Sequence, residues 1–294
     1  DSDGLYSERS PNYAANVSNP ALLTLAQHLG RPDLVSIVHR NLHAHLDLTS
    51  PDGGVETIHS RRQDQFGGPF PLGPFATQFA VFADGCARCR HGLRRALVAP
   101  GLEPADVLTQ SVLDERVAAG LAAAERDSQP PEPDQCVDRW FAGTRLWRHS
   151  DGRNWISLYA GSDVPATGRI GSGLATNPTF LRAGLGAVEL SSMRLSRNFF
   201  SMGPFRAERM VRECGRLVLH EQIGASYYQP LPAGCRDAAG RYRLEHEGRF
   251  TAAMAFSDRA ADEVELTTTI TFDPGADGSA VLSIDTRGAV SGQA

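Results

Sequence analysis

The sequence predicts a multidomain α+β protein in which helical hairpins come first and antiparallel strands follow. The prediction depends on the hydrophobic period, which is about 3.6 residues up to about Arg126 and two residues after a Pro-rich segment at 128–134. The later strands are separated by Gly, Asp and Pro turns, without helices between them, which is typical of sheets packed as a sandwich. We therefore expect a helical domain at 1–128 and an antiparallel β-sandwich domain at 136–294.

The helical half divides at Gly and Pro residues. A first helix ends at Gly30, a residue suited to the C-terminal cap, and Pro32 with Asp33 opens the next helix. That second helix has apolar residues every three or four positions and stops at the Ser-Pro-Asp-Gly-Gly turn at 50–54. Further helices are expected at 75–83, 88–98 and 104–126. Paired helices joined by such turns form hairpins.

The second half shows alternating apolar and polar residues. Three runs, at 217–222, 267–272 and 281–285, have this period of two. The Pro-rich segment before them cannot continue a helix and is expected to act as a semi-rigid linker.

Composition excludes several classes of function. All 29 basic residues are Arg, so Schiff-base chemistry and a P-loop lysine are excluded. The net charge of −5 argues against a nucleic-acid partner, and no apolar run is long enough to span a membrane. The chain begins with Asp1 and shows no signal peptide, so we expect it to be part of a longer chain with an N-terminal remainder.

The cysteine and histidine pattern predicts no metal and no cofactor. The Cys86-x-x-Cys89 pair lacks a second ligand pair of comparable spacing, and the five cysteines form no even disulfide framework. His39 and His43 lie one helical turn apart, but no acidic third ligand stands at a suitable spacing. These histidines are expected to lie at the edge of the core or in solvent.

Two polar segments could carry chemistry on a sugar. The first, Asp3–Asn16, places Tyr13 at the start of a helix, with Asn12 and Asn16 on one helical face. A phenol can transfer protons, and carboxamides can hold a carboxylate. The alternative interpretation is that this segment only begins a helix and that the Tyr13 hydroxyl lies in water.

The second segment, Glu56–Gln65, follows a Gly-Gly turn and has no apolar period, so it is expected to be a loop. His59, Arg61 and Arg62 would line the anionic end of a cleft. Gln63 would contact the substrate, and Asp64 would orient an Arg or a His. The alternative is an ordinary solvated loop.

The residues Asp3-Gly4, Glu8, Ser10-Pro11 and Tyr13 resemble a signature of polysaccharide lyases of the heparinase II/III and alginate-lyase type, Asp-Gly…Glu-x-(Ser/Gly)-Pro-x-Tyr. The motif covers about the first sixteen residues, and the resemblance in arrangement, helical hairpins followed by an antiparallel sandwich, spans most of the chain. The resemblance implies part of an α/α toroid before the sandwich and a β-hairpin at 143–158 that opens the sandwich. It also implies β-elimination on an acidic, uronate-containing polysaccharide or oligosaccharide. It implies that Tyr13 is the catalytic acid, and it suggests secretion or the periplasm.

The sequence departs from that pattern at two places. The family's Asn-Asn-His-Gly type segment is not found ahead of the Tyr motif, and the segment at 171–180 has no His where the family has its base. His59 is therefore an alternative base or a substrate contact. Two other hypotheses stay open: a non-catalytic carbohydrate-binding or structural module, and a glycoside hydrolase that uses Glu8 and Asp64 as a carboxylate pair.

Overall fold

A computed structural model describes residues 1–127, 136–167, 173–247, 251–275 and 279–288. In this part of the chain, helices dominate before Arg126 and antiparallel strands dominate after Val137, so the predicted α+β class is confirmed. The Pro-rich segment predicted as the domain boundary, 128–134, lies outside the described residues.

The first half consists mainly of helices that begin or end at Pro, Gly and Asp residues. They are α1 (Pro11–Tyr13), a π-helical turn (Ala14–Ser18), α2 (Asn19–Leu29), α3 (Pro32–Asp47), α4 (Ala76–Ala83), α5 (Ala87–Ala96), α6 (Pro104–Leu113) and α7 (Glu115–Arg126). Two 3₁₀ turns, Gln63–Phe66 and Gly73–Phe75, and a short antiparallel pair, β1 (Gly54–Val55) with β2 (Phe70–Pro71), complete this half.

Helix ends agree with the sequence at Gly30 and differ at Asp114. Gly30 caps α2 in the left-handed region, with φ 62° and ψ 37°. The single helix predicted at 104–126 is instead two helices. Asp114 adopts extended backbone angles, φ −131° and ψ 109°, and its carboxylate accepts the N–H of Arg116 at 2.9 Å. It therefore caps α7 and interrupts the helix.

The second half is made mainly of antiparallel strands. They are β3 (Val137–Phe141), β4 (Leu146–Ser150), β5 (Trp155–Tyr159), β6 (Leu181–Leu185), β7 (Val188–Met193), β8 (Arg209–Glu213), β9 (Arg216–Tyr228), β10 (Glu245–His246), β11 (Thr251–Ala252), β12 (Ala261–Pro274) and β13 (Ala280–Gly288). A short helix, α8 (Val164–Thr167), and 3₁₀ turns at Ala233–Cys235 and Phe256–Asp258 lie between them.

Two main sheets arise from these strands. One is a meander in the order β3-β4-β5-β6-β7, and it contains the predicted hairpin as β4 and β5. The other has the order β13-β12-β9-β8, with the three predicted runs inside β9, β12 and β13. Thr268 pairs with Glu221, and Ile270 pairs with Leu219 and Ile284. Burial alternates along β9 and β12 as predicted, whereas β13 is mostly exposed.

The chain divides into two compact units. Unit 1 is Asp1–Gly161 with Ser172–Met193, and unit 2 is Ser162–Gly171 with Arg194–Ala294. Unit 1 therefore combines the helices with the sheet β3–β7. Its core joins helical residues such as Leu42 and Phe79 to Phe141 and Leu146 of that sheet. The domain boundary that was predicted from the sequence, between residues 128 and 136, lies within unit 1.

Unit 2 has a core of its own on the sheet β8, β9, β12 and β13. Leu219 and Ile270 are fully buried there, and Leu217 and Phe272 are almost so. The carboxylate of Glu221 on β9 is buried beside the Arg197 guanidinium and also accepts the backbone N–H of Arg206 at 3.0 Å.

Candidate functional site

The start of α1 fixes the backbone of Tyr13. Ser10 is the N-cap, with φ −98° and ψ 120°, and its hydroxyl oxygen accepts the N–H of Tyr13 at 3.2 Å. Pro11 occupies the first helical position, where its missing N–H costs nothing. The Ser10 hydroxyl also donates to Asp64 Oδ2 at 2.6 Å. The predicted loop residue Asp64 is therefore bonded to the cap of the helix that carries Tyr13.

A π-helical turn follows Tyr13 directly. In this turn the N–H of Asn19 bonds to Ala14 O, a spacing of five residues. Pro20 comes next and has no N–H to continue an ordinary α-helical turn. The Asn19 side chain is buried; it accepts the Tyr6 hydroxyl at 2.6 Å and donates to Asn41 Oδ1 at 3.1 Å. Turns of this kind are frequent at functional sites, and here buried hydrogen bonds hold it in place.

The predicted loop meets Tyr13 through Arg62. The Arg62 guanidinium carbon lies 4.2 Å from the centre of the Tyr13 ring, and both side chains are half-buried. An Arg62 nitrogen also lies 3.6 Å from Glu8 Oε1. A stacked guanidinium of this kind attracts the face of an aromatic ring. The sequence expected Tyr13 and this loop to meet, and the structure brings the Tyr13 ring and Arg62 together.

The loop is held on both sides of Arg62. The N–H of Arg61 donates to Glu8 O at 2.9 Å, and the Arg61 side chain donates to Ser7 O at 3.1 Å. The hydroxyl of Ser60 donates to Asp64. Asp64 therefore accepts hydrogen bonds from both serines, Ser10 and Ser60, rather than orienting an Arg or a His as the sequence suggested.

The remaining predicted contacts lie at the surface. Asn16 Nδ2 donates to Asn12 Oδ1 at 2.8 Å, so these amides share one helical face, as their spacing predicted. Asn16 is exposed and Asn12 is half-buried. Gln63 is exposed on the 3₁₀ turn Gln63–Phe66. Gln65, two residues later, is buried, and its side-chain oxygen accepts the N–H groups of Thr176 and Asn177.

His59 does not fulfil its predicted role. It is fully buried, and neither imidazole nitrogen has a hydrogen-bond partner among the described residues. Burial lowers the pKa of His59 to about 3, although the nearby Glu56 carboxylate acts in the opposite direction. A residue that binds a glycan or takes its proton must reach the substrate, so a sealed imidazole is neither the base nor a contact.

Glu56, at the start of the same segment, is also buried. Its carboxylate accepts the N–H groups of Thr57 and Ile58, each at 2.9 Å, and Arg182 NH1 at 2.9 Å. Arg148, which is fully buried, lies 3.8 Å away. Burial alone would raise the pKa of Glu56, but Arg182 and Arg148 bring it below its usual value. This part of the predicted loop is core.

A second group of chemically reactive side chains lies between α3 and α5. His39, His43, Cys86 and Cys89 each offer one ligand atom, and these atoms lie within 4.8 Å of one another. From the sequence, the Cys86/Cys89 pair and the His39/His43 pair were considered separately, because the second ligand pair was expected to have a spacing comparable to that of the cysteines. In the structure, the His pair on α3 supplies what the Cys pair lacked. A joint search for i, i+4 His pairs and Cys-x-x-Cys pairs could have found it.

Burial sets the protonation of this group. It lowers the pKa of His39, and it lowers the pKa of His43 to about 4, with smaller contributions from His39 and Arg88. It raises the pKa of the Cys89 thiol, which is fully buried. Both imidazoles are therefore neutral at pH 7, and neutral imidazole is the form that binds metals.

Unit 1 also contains a basic cavity of about 530 Å³. It is lined by Arg88, His91, Arg95 and Arg139 together with Asp47 and Asp138. Arg88 and Arg139 both bind the Asp47 carboxylate, and Arg95 donates to Ser50 O at 2.6 Å. These arginines already have acceptors within the protein.

Comparison of the chain with protein-family models, with curated proteins and with solved structures finds no match. Within the described parts of the chain, none of the helices combines the length and the apolar character needed to cross a membrane.

Proposed function

We propose that the protein is a polysaccharide lyase-like enzyme that cleaves an acidic, uronate-containing glycan by β-elimination. The proposal assigns Tyr13 to proton transfer and Arg62 to the substrate carboxylate. One observation supports it above the others: the Arg62 guanidinium stacks on the ring of Tyr13 at 4.2 Å, at the start of a helix. The resemblance of Asp3–Tyr13 to a lyase signature supports the same assignment.

β-Elimination breaks the C5–H bond and the glycosidic bond between C4 and its oxygen. The electrons of the C5–H bond form a double bond between C4 and C5, and the leaving oxygen must gain a proton. The Tyr13 oxygen would accept the proton from C5 and pass a proton to the leaving oxygen. The side chain then returns to its starting state, and the proton is accounted for.

The substrate carboxylate must be neutralised before the C5 proton becomes acidic. A guanidinium suits this task because it keeps its charge and presents several N–H donors in one plane. Stacking on Tyr13 uses the face of the Arg62 guanidinium. The N–H groups are at its edge, where one nitrogen lies 3.6 Å from Glu8 Oε1. The Asn12 amide, directly before Tyr13 on α1, is a further donor of the right kind. Arg61 has its side chain on Ser7 O and is assigned a lesser part.

The network around Tyr13 supports catalysis because it restricts the positions of the reacting groups. The Ser10 hydroxyl accepts the N–H of Tyr13. Asp64, on the loop that carries Arg62, accepts hydrogen bonds from Ser10 and from Ser60 of the same loop. An acid that is held within hydrogen-bond distance of the leaving oxygen gains rate from orientation alone. The same hydrogen bonds would hold the guanidinium over the ring.

The test is absorbance of unsaturated uronate. We expect the full chain, incubated with a panel of uronate-containing polysaccharides, to give the rise in ultraviolet absorbance of the new conjugated double bond. Tyr13→Phe should lower that rate by at least about 100-fold, the usual size of a general acid–base contribution, with an unchanged circular dichroism spectrum. Tyr227→Phe, which changes a half-exposed tyrosine on β9, is the matched control and should keep full activity.

Other outcomes select the remaining hypotheses. Binding of these glycans without absorbance would favour a carbohydrate-binding module. New reducing ends without absorbance would favour a hydrolase that uses Glu8 and Asp64. Unchanged absorbance in Tyr13→Phe would remove Tyr13 from the mechanism.

A further inference from the structure

We propose that His39, His43, Cys86 and Cys89 bind one Zn²⁺ ion in a closed, structural tetrahedral site. The site would join α3 to α5 within unit 1. It does not depend on the proposed lyase activity, because none of its four ligands takes part in the Tyr13 network.

The spacing of the ligand atoms suits zinc. Zinc–sulfur bonds of about 2.3 Å and zinc–nitrogen bonds of about 2.0–2.1 Å place the atoms of a tetrahedral site about 3.3–3.8 Å apart. The Sγ of Cys86 lies 3.4 Å from Nε2 of His43, and all four ligand atoms lie within 4.8 Å of one another. The largest separation is thus at most about 1 Å beyond the tetrahedral range, a gap that small side-chain rotations close.

Helix geometry explains why the four side chains converge. His39 and His43 stand four residues apart on α3 and so lie on one face of it. Cys86 is the N-cap of α5, and its sulfur accepts the N–H of Cys89 at 3.4 Å. Both cysteines therefore lie in the first turn of α5, which faces the histidine pair of α3 at this point.

Within the described residues, the surroundings give the ligands little else to bind. Nε2 of His39 is buried and has no hydrogen-bond partner there. Its ring stacks on Phe82, with centroids 4.7 Å apart, and this contact fixes the imidazole. Arg88 NH2 donates to His43 O at 3.3 Å and ties α5 to α3 beside the site. A metal ion would satisfy a buried nitrogen that is otherwise costly to leave unpaired.

The ligand set also selects the metal and its role. Two thiolates and two imidazoles in tetrahedral arrangement favour zinc among common divalent ions. Two thiolates balance the charge of Zn²⁺, so the filled site is neutral and its burial costs little. Four protein ligands leave no open position for water or substrate, which is the pattern of a structural site rather than a catalytic one.

The first experiment is metal analysis of the full chain, purified without a histidine tag. We expect one zinc per chain. Replacement of zinc by Co²⁺ should give the visible bands of tetrahedral cobalt together with sulfur-to-cobalt charge-transfer absorption. Removal of zinc by a chelator should lower the melting temperature, because a ligand that binds only the folded state stabilises it.

Single variants test one ligand from the cysteine pair and one from the histidine pair. Cys86→Ser and His43→Gln should each lower the zinc content well below one per chain, and both positions are half-buried, so folding is easier to retain than at Cys89. Cys136→Ser and His28→Ala are the matched controls, since both residues are exposed, and each variant should retain one zinc. The cobalt spectrum of the unchanged protein gives a second test if a variant fails to fold.

Three results would overturn the proposal. One is protein that takes up no stoichiometric zinc after exposure to it. Another is a cobalt derivative that lacks tetrahedral bands or sulfur charge transfer. The third is a disulfide between Cys86 and Cys89 in freshly isolated protein, which would make the pair a redox couple instead.

Discussion

His59 is the clearest case of a buried polar side chain in unit 1. It is fully buried, close to Glu56, His45, Arg9 and Arg182, and its imidazole nitrogens have no hydrogen-bond partner within the described residues. Burial holds its pKa at about 3 in the folded protein, against about 6.5 in an unfolded chain. Between about pH 3 and pH 6.5, the two pKa values, the His59 side chain is therefore protonated in the unfolded state and neutral in the folded state.

The sign of the resulting pH dependence follows directly. The contribution of neutral His59 to stability is complete above pH about 6.5 and is lost as pH falls toward 3, at about 1.4 kcal/mol per pH unit. We predict that His59→Leu removes this loss, so at pH 5 the variant gains about 2 kcal/mol relative to its effect at pH 8. Urea unfolding at both pH values measures the difference.

The matched control is His28→Leu, because His28 is exposed. It should leave the pH dependence of unfolding unchanged. The neighbouring His45, whose pKa burial also lowers to about 4, remains in His59→Leu, so part of the acid sensitivity should persist. Equal changes in stability at pH 5 and pH 8 would show that His59 is hydrated or paired in solution.

Sequence reasoning placed Tyr13 and Arg62 together but misjudged His59 and Glu56. Tyr13 lies at a helix start marked by Ser10 and Pro11, which is local information. Glu56 is buried because Arg148 and Arg182 reach it from strands about a hundred residues later. A polar segment with no apolar period looks like a solvated loop until those distant partners are known.

At the scale of elements, α4 and α7 approach each other closely at a glycine. A Cβ atom on Gly120, in the middle of α7, would overlap the carbonyl oxygen of Ala80 on α4. That oxygen belongs to the backbone and cannot rotate away. The missing side chain therefore allows the two helix backbones to pack at this distance.

We predict that Gly120→Ala destabilises the protein by about 1–3 kcal/mol, the usual cost of overpacking. Helix propensity acts in the opposite direction by about 1 kcal/mol, so the sign of the change reports the helix contact. Gly85→Ala is the matched control, because a Cβ there has no atom within 4 Å, and it should change stability by less than about 0.5 kcal/mol. A stabilised Gly120→Ala in urea unfolding would contradict the close approach.

The end of a helix could be predicted where a single residue, such as a C-terminal Gly, determines it. Gly30 ends α2 as its position indicated. The break at Asp114 was missed, although Asp is a favoured N-cap, because the alanine-rich pattern runs on past it. The Cys and His pairs were both visible in the sequence. What the sequence did not show is that α3 and α5 pack side by side.

At the scale of the whole molecule, secondary structure and compact units divide the chain differently. The change from helices to strands lies within unit 1, whose core takes Phe141, Leu146 and Tyr159 from the sheet β3–β7. Hydrophobic period reports the type of each element but not the neighbour it packs against. A boundary drawn from period alone therefore separates the helices from residues that complete their core.

The last prediction compares two fragments: one spans all of unit 1 together with Ser162–Gly171 of unit 2, and the other contains only the helical part of unit 1. We predict that residues 1–193 unfold cooperatively in urea, whereas residues 1–127 do not. The shorter fragment loses the sheet side of the core, and Glu56 loses Arg148 and Arg182. An unpaired buried charge costs about 3–5 kcal/mol, a large share of the stability of a domain.

Near-ultraviolet circular dichroism and urea unfolding would measure both fragments. Zinc should be supplied to each, because all four proposed ligands lie in both. The longer fragment then serves as the matched control for the shorter one, with the same helices α1–α7, the same N-terminus at Asp1 and the same metal. Cooperative unfolding of 1–127 would mean that the helices fold without the sheet. The sequence-based boundary would then mark an autonomous domain, and the shared core would be an addition to it rather than a requirement.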